Sequence, residues 1–483
     1  MQLSKLLQRV DVLESTASPD TEITGISYDS RITKPGELFV AITGYATDGH
    51  KFIPMAVQKG AGVILCEKKP KNNVPYVLVA SSRQALAIIS ANWFDHPAEK
   101  MTMIGVTGTN GKTTITYLLK HLLETTRGAK VGLVGTIQNM IGDEVLETER
   151  TTPESYELQK LFADMYAAGC THVIMEASSH ALYLHRVDEV PFELGIFTNL
   201  TEDHLDFHKT MAEYCKAKSI LFRKCRTGVL NLDDAYESRI LRGATCKVLT
   251  YSAQSNHADL VAKNIKLKSA RIEMEVVTGV EITRIELGIP GAFSVYNALA
   301  VIQAGLALGI SLREIAASLK TAKGVKGRVE VVPTPGKPYT VLIDYSHTPD
   351  SLENVLKTVK GFCKGRTIAV FGCGGDRDPY KRPIMGEIAG RLADLSVVTS
   401  DNPRTEDPNE IIRQIVAGME KSPHPYEVIE NRIEAIGWAM ANAKENDIIV
   451  LCGKGHETYQ EINHIKHHLD EREVVASWLE KEI

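Results

Sequence analysis

Gly105-Val-Thr-Gly108-Thr-Asn-Gly111-Lys112-Thr113-Thr114 is the stretch that decides the fold of this 483-residue chain. It follows the apolar run 101–106 and precedes a helical pattern whose apolar face is Ile115, Leu118, Leu119 and Leu122. A strand, a glycine-rich turn and a helix in that order make a phosphate loop. Glycines let backbone amides approach an anion closely, and the helix amino terminus adds positive potential. Gly108, Thr109, Asn110, Gly111, Lys112, Thr113 and Thr114 are therefore read as nucleotide-binding, with Lys112 as a mobile charge and the Thr113 hydroxyl as a magnesium ligand. Valine at position 106 departs from the strict G-x-x-x-x-G-K-[ST] spacing, which places the loop in a variant subset.

Outward from the loop, short apolar runs alternate with amphipathic stretches, the pattern of parallel sheets covered by helices, so the fold class is α/β. Runs at 38–42, 63–66 and 76–79 and a helix ending near His96 form a first segment. Pro97-Ala-Glu-Lys reads as a solvated linker, since proline cannot continue the helix. A second segment carries runs at 101–106, 131–134, 173–175 and 194–197, and a third has runs at 341–343, 368–371, 397–398 and 448–451. The expected domains are 1–98, 99–328 and 329–483, the count that the length itself suggests.

Apolar residues at 43% and charged residues at 24% exclude a disordered or coiled-coil chain. With 55 Lys and Arg against 60 Asp and Glu, the net charge of -5 gives no footprint for nucleic acid or an anionic membrane, so any anion must be held locally. The amino terminus lacks the apolar core of a secretory signal and no run of 18 apolar residues occurs, so a cytoplasmic protein without membrane insertion is expected. Eight dispersed cysteines without a C-x-x-C pair read as reduced thiols.

In open α/β sheets ligands bind beyond the carboxyl ends of the strands. Glu176 ends the run 173–175, where a carboxylate would face the phosphate loop and hold magnesium. Ser178-Ser179-His180 and Thr198-Asn199-Leu-Thr-Glu-Asp203-His204-Leu-Asp206 also follow strands. Hard oxygens suit magnesium; His204 could complete a second, looser site or serve as a hydrogen-bonded structural histidine.

Gly108-Thr-Asn-Gly-Lys-Thr-Thr114, Glu176-Ala-Ser-Ser-His180, Asn199-Leu-Thr-Glu-Asp-His-Leu-Asp206, Asp344-Tyr-Ser-His347 and Gly453-Lys-Gly-His-Glu457 occur in the order found in the Mur ligases, which the whole chain resembles. Asp29-Ser30-Arg31, Asp48-Gly-His50, Thr151-Thr-Pro153 and Gly372-Cys-Gly-Gly-Asp-Arg377-Asp resemble the UDP-N-acetylmuramoyl-tripeptide synthetase branch of that family. The resemblance implies a three-domain architecture with a central P-loop ATPase domain and a Rossmann-like carboxyl-terminal domain. It also implies ATP and Mg2+, and a monomer that joins an amino acid to UDP-N-acetylmuramoyl-L-alanyl-D-glutamate through an acyl phosphate in peptidoglycan synthesis.

By the same resemblance Lys112, Lys218, His204 and His347 are catalytic, with Lys218 carried as a carbamate that ligates metal beside Thr113, Glu176 and His204. Ser30, Thr151, Thr152, Ser178 and Arg186 contact the uridine nucleotide substrate, and Asn297, Arg328 and Asp344 contact ATP. Arg186 suits an anion because guanidinium binds diphosphate or carboxylate with two parallel hydrogen bonds. Three positions depart from the family pattern: His185 stands where glycine is expected, Ser294 where asparagine is usual, and Ser346 where alanine is usual.

Ser400-Asp401-Asn402-Pro403-Arg404 follows the run at 397–398, and Asn-Pro favours a fixed turn that aims the next side chain. In the resembled family this motif marks enzymes that add meso-2,6-diaminopimelate, and the implied amino-acid site is Arg377, Asp401, Asn402, Pro403, Arg404, Gly453 and Glu457. Diaminopimelate differs from lysine by a distal carboxylate, which Arg404 can bind bidentately while repelling the terminal ammonium of lysine. The alternatives are the L-lysine-adding ligase, a folylpolyglutamate synthetase, a P-loop kinase, or a nucleotide-binding scaffold without turnover.

Overall fold

The computed structural model describes residues 1–44, 47–71, 73–148, 150–420 and 422–481. Two compact units emerge, one of Met1–Asp259 with Ala300–Ile310, the other of Leu260–Leu299 with Ser311–Ile483.

The first unit holds two sheets. One runs Val12–Ser15, Tyr76–Val79, Val63–Cys66, Leu38–Val40, Ile26–Ser27, parallel except where Val12–Ser15 meets Tyr76–Val79. Successive side chains of a strand point to opposite faces, and both faces here are apolar. Leu38, Val40, Val63 and Leu65 cluster with Leu86 and Ile89 of the helix Ser82–Trp93. Phe39, Ile64 and Cys66 cluster with Ile53 and Ala56 of the helix Ile53–Gln58. The expected solvated linker is instead a 3-10 turn, Pro97–Lys100, with Pro97 and Ala98 buried. Proline's fixed φ starts a turn as readily as it ends a helix, and Ala98 joins a core cluster with Met101, Met103 and Phe162.

In the other sheet of this unit the strands Lys247–Ser252, Cys225–Asn231, Phe192–Phe197, Thr102–Thr107, His172–Glu176 and Val131–Val134 are parallel neighbours in that order. Asn139–Ile141 and Glu144–Leu146 extend it antiparallel. The strand Thr102–Thr107 has His172–Glu176 on one side and Phe192–Phe197 on the other. The pairs Glu176↔Val106 and Phe197↔Thr107 bring the three carboxyl ends level. The chain fills one flank of the central strand before crossing to the other, so this is the switch point where open α/β sheets bind ligands.

The second unit is built on a sheet in the order Glu330–Val332, Thr340–Asp344, Ile448–Cys452, Thr367–Phe371, Leu395–Val398, Tyr426–Val428, parallel but for the first pair. Leu342, Phe371 and Val450 pack with Leu352, Leu356 and Met385 on one face. Ile343, Val370 and Ile449 pack with Ala435 and Ile436 on the other. A hairpin of Tyr459–Ile462 and Ile465–His468 follows the last parallel strand. This unit also contains an antiparallel meander, Leu260–Leu267, Ile272–Val277 and Ile282–Leu287, which the apolar runs did not announce. Its strands alternate apolar and charged residues, and buried Glu273 is met there by Lys268, Arg271 and Arg284.

Candidate active site

The phosphate loop forms as the sequence predicts, between the strand Thr102–Thr107 and the helix Lys112–Arg127. Gly111 offers no capping side chain, so the amino-terminal turn of a 16-residue helix faces the loop, where an anion is favoured. Gly108 has φ +144°, and a Cβ there would stand 1.9 Å from Thr198 Oγ1, so only glycine fits. Asn199 clamps the loop: its carbonyl accepts from Thr109 N at 2.8 Å and its Oδ1 from Asn110 N at 3.0 Å. Thr198 Oγ1 donates to the Asn110 carbonyl at 2.6 Å. The Lys112 ammonium curls back onto the carbonyls of Gly108 and Thr109, at 3.0 and 2.7 Å.

Glu176, 1% exposed, accepts from Thr113 Oγ1 at 2.9 Å, and from Thr136 through its amide at 3.1 Å and its hydroxyl at 2.9 Å. A hydroxyl and a carboxylate side by side at the loop are hard-oxygen donors that suit magnesium, whose other positions phosphate oxygens and water can fill. Among the described residues no three His, Cys, Asp or Glu side chains converge as a metal site, so a cation here depends on those other oxygens.

Lys218 is 1% exposed on the helix Met211–Ser219. Its Nζ donates to the Gly108 carbonyl at 2.7 Å and lies 4.5 Å from the centre of the Tyr214 ring. Burial, and then the neighbouring charge of Lys112, hold this amine far below the usual lysine range. His204 contacts the other end of the same group: its ring is 6.1 Å from Tyr214 and 4.9 Å from His180, with φ +53°. His208 is buried with Nε2 2.9 Å from Ser179 Oγ, and burial together with the charge of His180 pushes it down to about 4.

Thr151, Thr152, Ser178 and Arg186 converge on the same strand end. Thr136 and Thr151 hydroxyls are 3.0 Å apart, and Thr152 Oγ1 donates to the Glu176 carbonyl at 2.7 Å and lies 3.2 Å from Ser178 Oγ. The Arg186 guanidinium donates to the Thr152 carbonyl at 3.1 Å and to Glu154 at 3.2 Å. A cavity of about 300 Å³ adjoins them, lined by Tyr28, Asn139, Arg150 and Glu154 among others. Ser30 is buried in the amino-terminal segment against Met55 Sδ at 3.3 Å. His185 takes φ +61°, which explains the glycine expected there; its ring nitrogen, 2.7 Å from Asp188 Oδ2, secures the turn instead.

The second unit gathers the remaining residues. Asp344, buried and with its carboxyl raised by that burial, accepts from Val329 N at 2.9 Å. Ser346 bonds the other carboxylate oxygen, giving the replaced alanine position a function. Arg328 lies 6.0 Å over the Tyr345 ring, and His347 holds the Tyr345 carbonyl at 2.8 Å. Asn297 is buried with its Nδ2 unpartnered, whereas Ser294 turns its hydroxyl to the Pro290 carbonyl at 2.9 Å, just ahead of its own helix Ala292–Ala307.

Arg404 sits at φ +51° with Nε on Glu461 at 3.1 Å and one terminal nitrogen on the Gly375 carbonyl at 2.8 Å. It borders a cavity of about 480 Å³ with Pro403, Gln460 and Ile462. Asn402 Nδ2 donates to Glu457 at 2.9 Å, and Asp401 lies 3.8 Å from the fully buried Arg432. Gly453 must be glycine: at φ +116° a Cβ would meet Asp401 Oδ2 at 2.6 Å. Arg377 is exposed, its guanidinium on the Asp376 carbonyl at 3.2 Å. Sequence reasoning missed Thr136, Glu154, Lys454 and Glu461. Lys454 lies inside the quoted Gly453–Glu457 motif, but nothing local marks the other three.

A phosphate loop beside a buried carboxylate and a buried lysine defines a nucleotide-binding enzyme of the P-loop class. Residues 22–95 match the Mur ligase family, catalytic domain, 106–305 the Mur ligase middle domain, and 327–455 the Mur ligase, glutamate ligase domain. UDP-N-acetylmuramoyl-L-alanyl-D-glutamate--2,6-diaminopimelate ligase 1 of Clostridium acetobutylicum is 48% identical, covering 100% of both chains. The ligase of that name from Caldanaerobacter subterraneus subsp. tengcongensis is also 48% identical, over 99% of each. A solved structure of such a ligase is similar with a TM-score of 0.77 at 32% identity, covering 100% of this chain and 99% of that one. The chain belongs to the Mur ligase family.

Proposed function

We propose that this chain is an ATP-dependent amide ligase that joins meso-2,6-diaminopimelate to UDP-N-acetylmuramoyl-L-alanyl-D-glutamate in peptidoglycan synthesis. The observation that carries this reading is Arg404, a guanidinium held on two edges by Glu461 and Gly375 beside a cavity. Its remaining donors suit a carboxylate, the group that distinguishes diaminopimelate from lysine. The full-length identity to ligases of that name supports the same substrates.

A carboxylate oxygen of the D-glutamyl residue attacks the γ-phosphorus of ATP, ADP leaves, and the amine of diaminopimelate then attacks the acyl carbon and expels phosphate. Lys112 and the amino-terminal turn of the helix Lys112–Arg127 bind and orient the phosphates, and positioning with charge stabilisation is most of what phosphoryl transfer needs. Thr113 and Glu176 hold magnesium, which neutralises phosphate charge when bound. Asn297, Arg328, Asp344 and His347 face ATP, and Ser30, Thr151, Thr152, Ser178 and Arg186 take the uridine nucleotide substrate. Asp401, Asn402, Pro403, Gly453, Glu457 and Arg377 complete the amino-acid site with Arg404.

Lys218 acts as a carbamate. Burial lowers its pKa, which favours loss of the ammonium proton to water; the amine lone pair then forms a bond to the carbon of CO2 as a second proton leaves to water. The anion so formed joins His204 beside the phosphate loop. In this reading residues 1–98, 99–328 and 329–483 serve the uridine nucleotide, ATP and the amino acid in turn, in a cytoplasmic monomer. The test is phosphate release in the purified enzyme. It should require ATP, the dipeptide nucleotide and diaminopimelate together; release with any one omitted counts against ligation.

A further inference from the structure

One lysine in the acceptor region is unused by the chemistry above. Lys454 is fully buried, at 0% exposure. Its ammonium donates to Asn402 Oδ1 at 2.9 Å and to the Tyr459 carbonyl at 2.7 Å, and lies 3.6 Å from Glu457 Oε2. An ammonium has only donors, so the Asn402 amide must turn its oxygen toward Lys454. That leaves Asn402 Nδ2 for Glu457 Oε2, at 2.9 Å. Asn402 Oδ1 also accepts from Glu461 N at 2.9 Å, and the Glu461 carboxylate holds Arg404. Asn402, Glu457 and Arg404 therefore connect to one buried cation through short chains of hydrogen bonds. Burying a lysine this deeply is costly unless its donors are met, and here Asn402 Oδ1, the Tyr459 carbonyl and the Glu457 carboxylate meet them.

We infer that Lys454 is a positioning residue for the incoming amino acid. It does not touch substrate. It sets the Asn402 amide and the Glu457 carboxylate directly and, through the strand Tyr459–Ile462, the Arg404 guanidinium. The inference rests on the reading of Arg404, Asn402 and Glu457 as the amino-acid site.

The test uses full-length Lys454→Met, similar in length but without charge, with each substrate varied in steady state. The KM for diaminopimelate should rise about tenfold or more, equivalent to about 1.4 kcal/mol. The KM values for ATP and the dipeptide nucleotide should stay within roughly twofold, as expected for loss of one substrate's binding interactions. Lys454→Arg, which keeps charge and donors, should recover part of the loss. In a cycle with Asn402→Ala, the loss of diaminopimelate binding in the double variant should be smaller than the sum of the two single losses, since coupled residues are non-additive. An unchanged KM for diaminopimelate, or equal rises in all three KM values with additive effects, overturns the inference. If Lys454→Met does not fold, Lys454→Gln, which keeps a neutral donor at this position, reads the same linkage: its KM for diaminopimelate should rise several-fold with the other two KM values unchanged, and no rise overturns the inference. A wild-type enzyme inert toward diaminopimelate overturns both readings, whereas an active wild type with insensitive variants removes only this one.

Discussion

Lys218 is the residue whose environment conflicts most with its usual chemistry. Surface lysines are charged and hydrated, but this one is buried against a carbonyl and an aromatic ring. Lys218→Ala should lose nearly all ligase activity without unfolding, and wild-type activity should fall in CO2-stripped buffer and return with bicarbonate. Full activity of the variant at ambient CO2 would contradict the carbamate. His208 gives a separate prediction. Its folded pKa of about 4 lies below the ordinary 6.5, so the unfolded chain takes up the proton first as pH falls. The stability it permits is complete above about 6.5 and is lost progressively toward 4, on the order of 3 kcal/mol in all. Melting temperature should drop more steeply between pH 6.5 and 4.5 in the wild type than in His208→Gln, and equal slopes would contradict the assignment.

At the scale of elements, the parallel strands and the phosphate loop were legible because both announce themselves locally. Strands buried on two faces read as runs such as Val173-Ile-Met175, and the loop needs glycine where φ turns positive. The meander Leu260–Leu267 to Ile282–Leu287 was not legible, since its charged and apolar residues alternate without a continuous run. At the site, Glu176 and Lys112 could be read from their positions after a strand and within the loop. Glu461 could not, because its tie to Arg404 spans 57 residues of chain. The turn Asp401–Arg404 carries its own prediction: Arg404→Ala should cost about 2–4 kcal/mol in kcat/KM for diaminopimelate, thirty- to thousand-fold, and lower the preference over L-lysine. An unchanged ratio of specificity constants would remove Arg404 from the specificity site.

Over the whole molecule, a net charge of -5 gives no hint of substrates that are themselves anionic or zwitterionic. The charges that the proposed function uses are local: Lys112 and Arg186 at the phosphate loop and its neighbouring strand end, Arg404 with Glu461 in the second unit. Three segments that match successive parts of the Mur ligase family follow each other along the chain. That order is what separates a ligase from a kinase with the same loop, since a kinase has no use for an amine. The most direct test offers the enzyme ATP, UDP-N-acetylmuramoyl-L-alanyl-D-glutamate and equal concentrations of meso-diaminopimelate and L-lysine, and identifies the product by mass. The predicted result is the diaminopimelate-containing tripeptide nucleotide in large excess, with one ADP formed per amide; a lysine-containing product, or ADP formed without any amide, would contradict it.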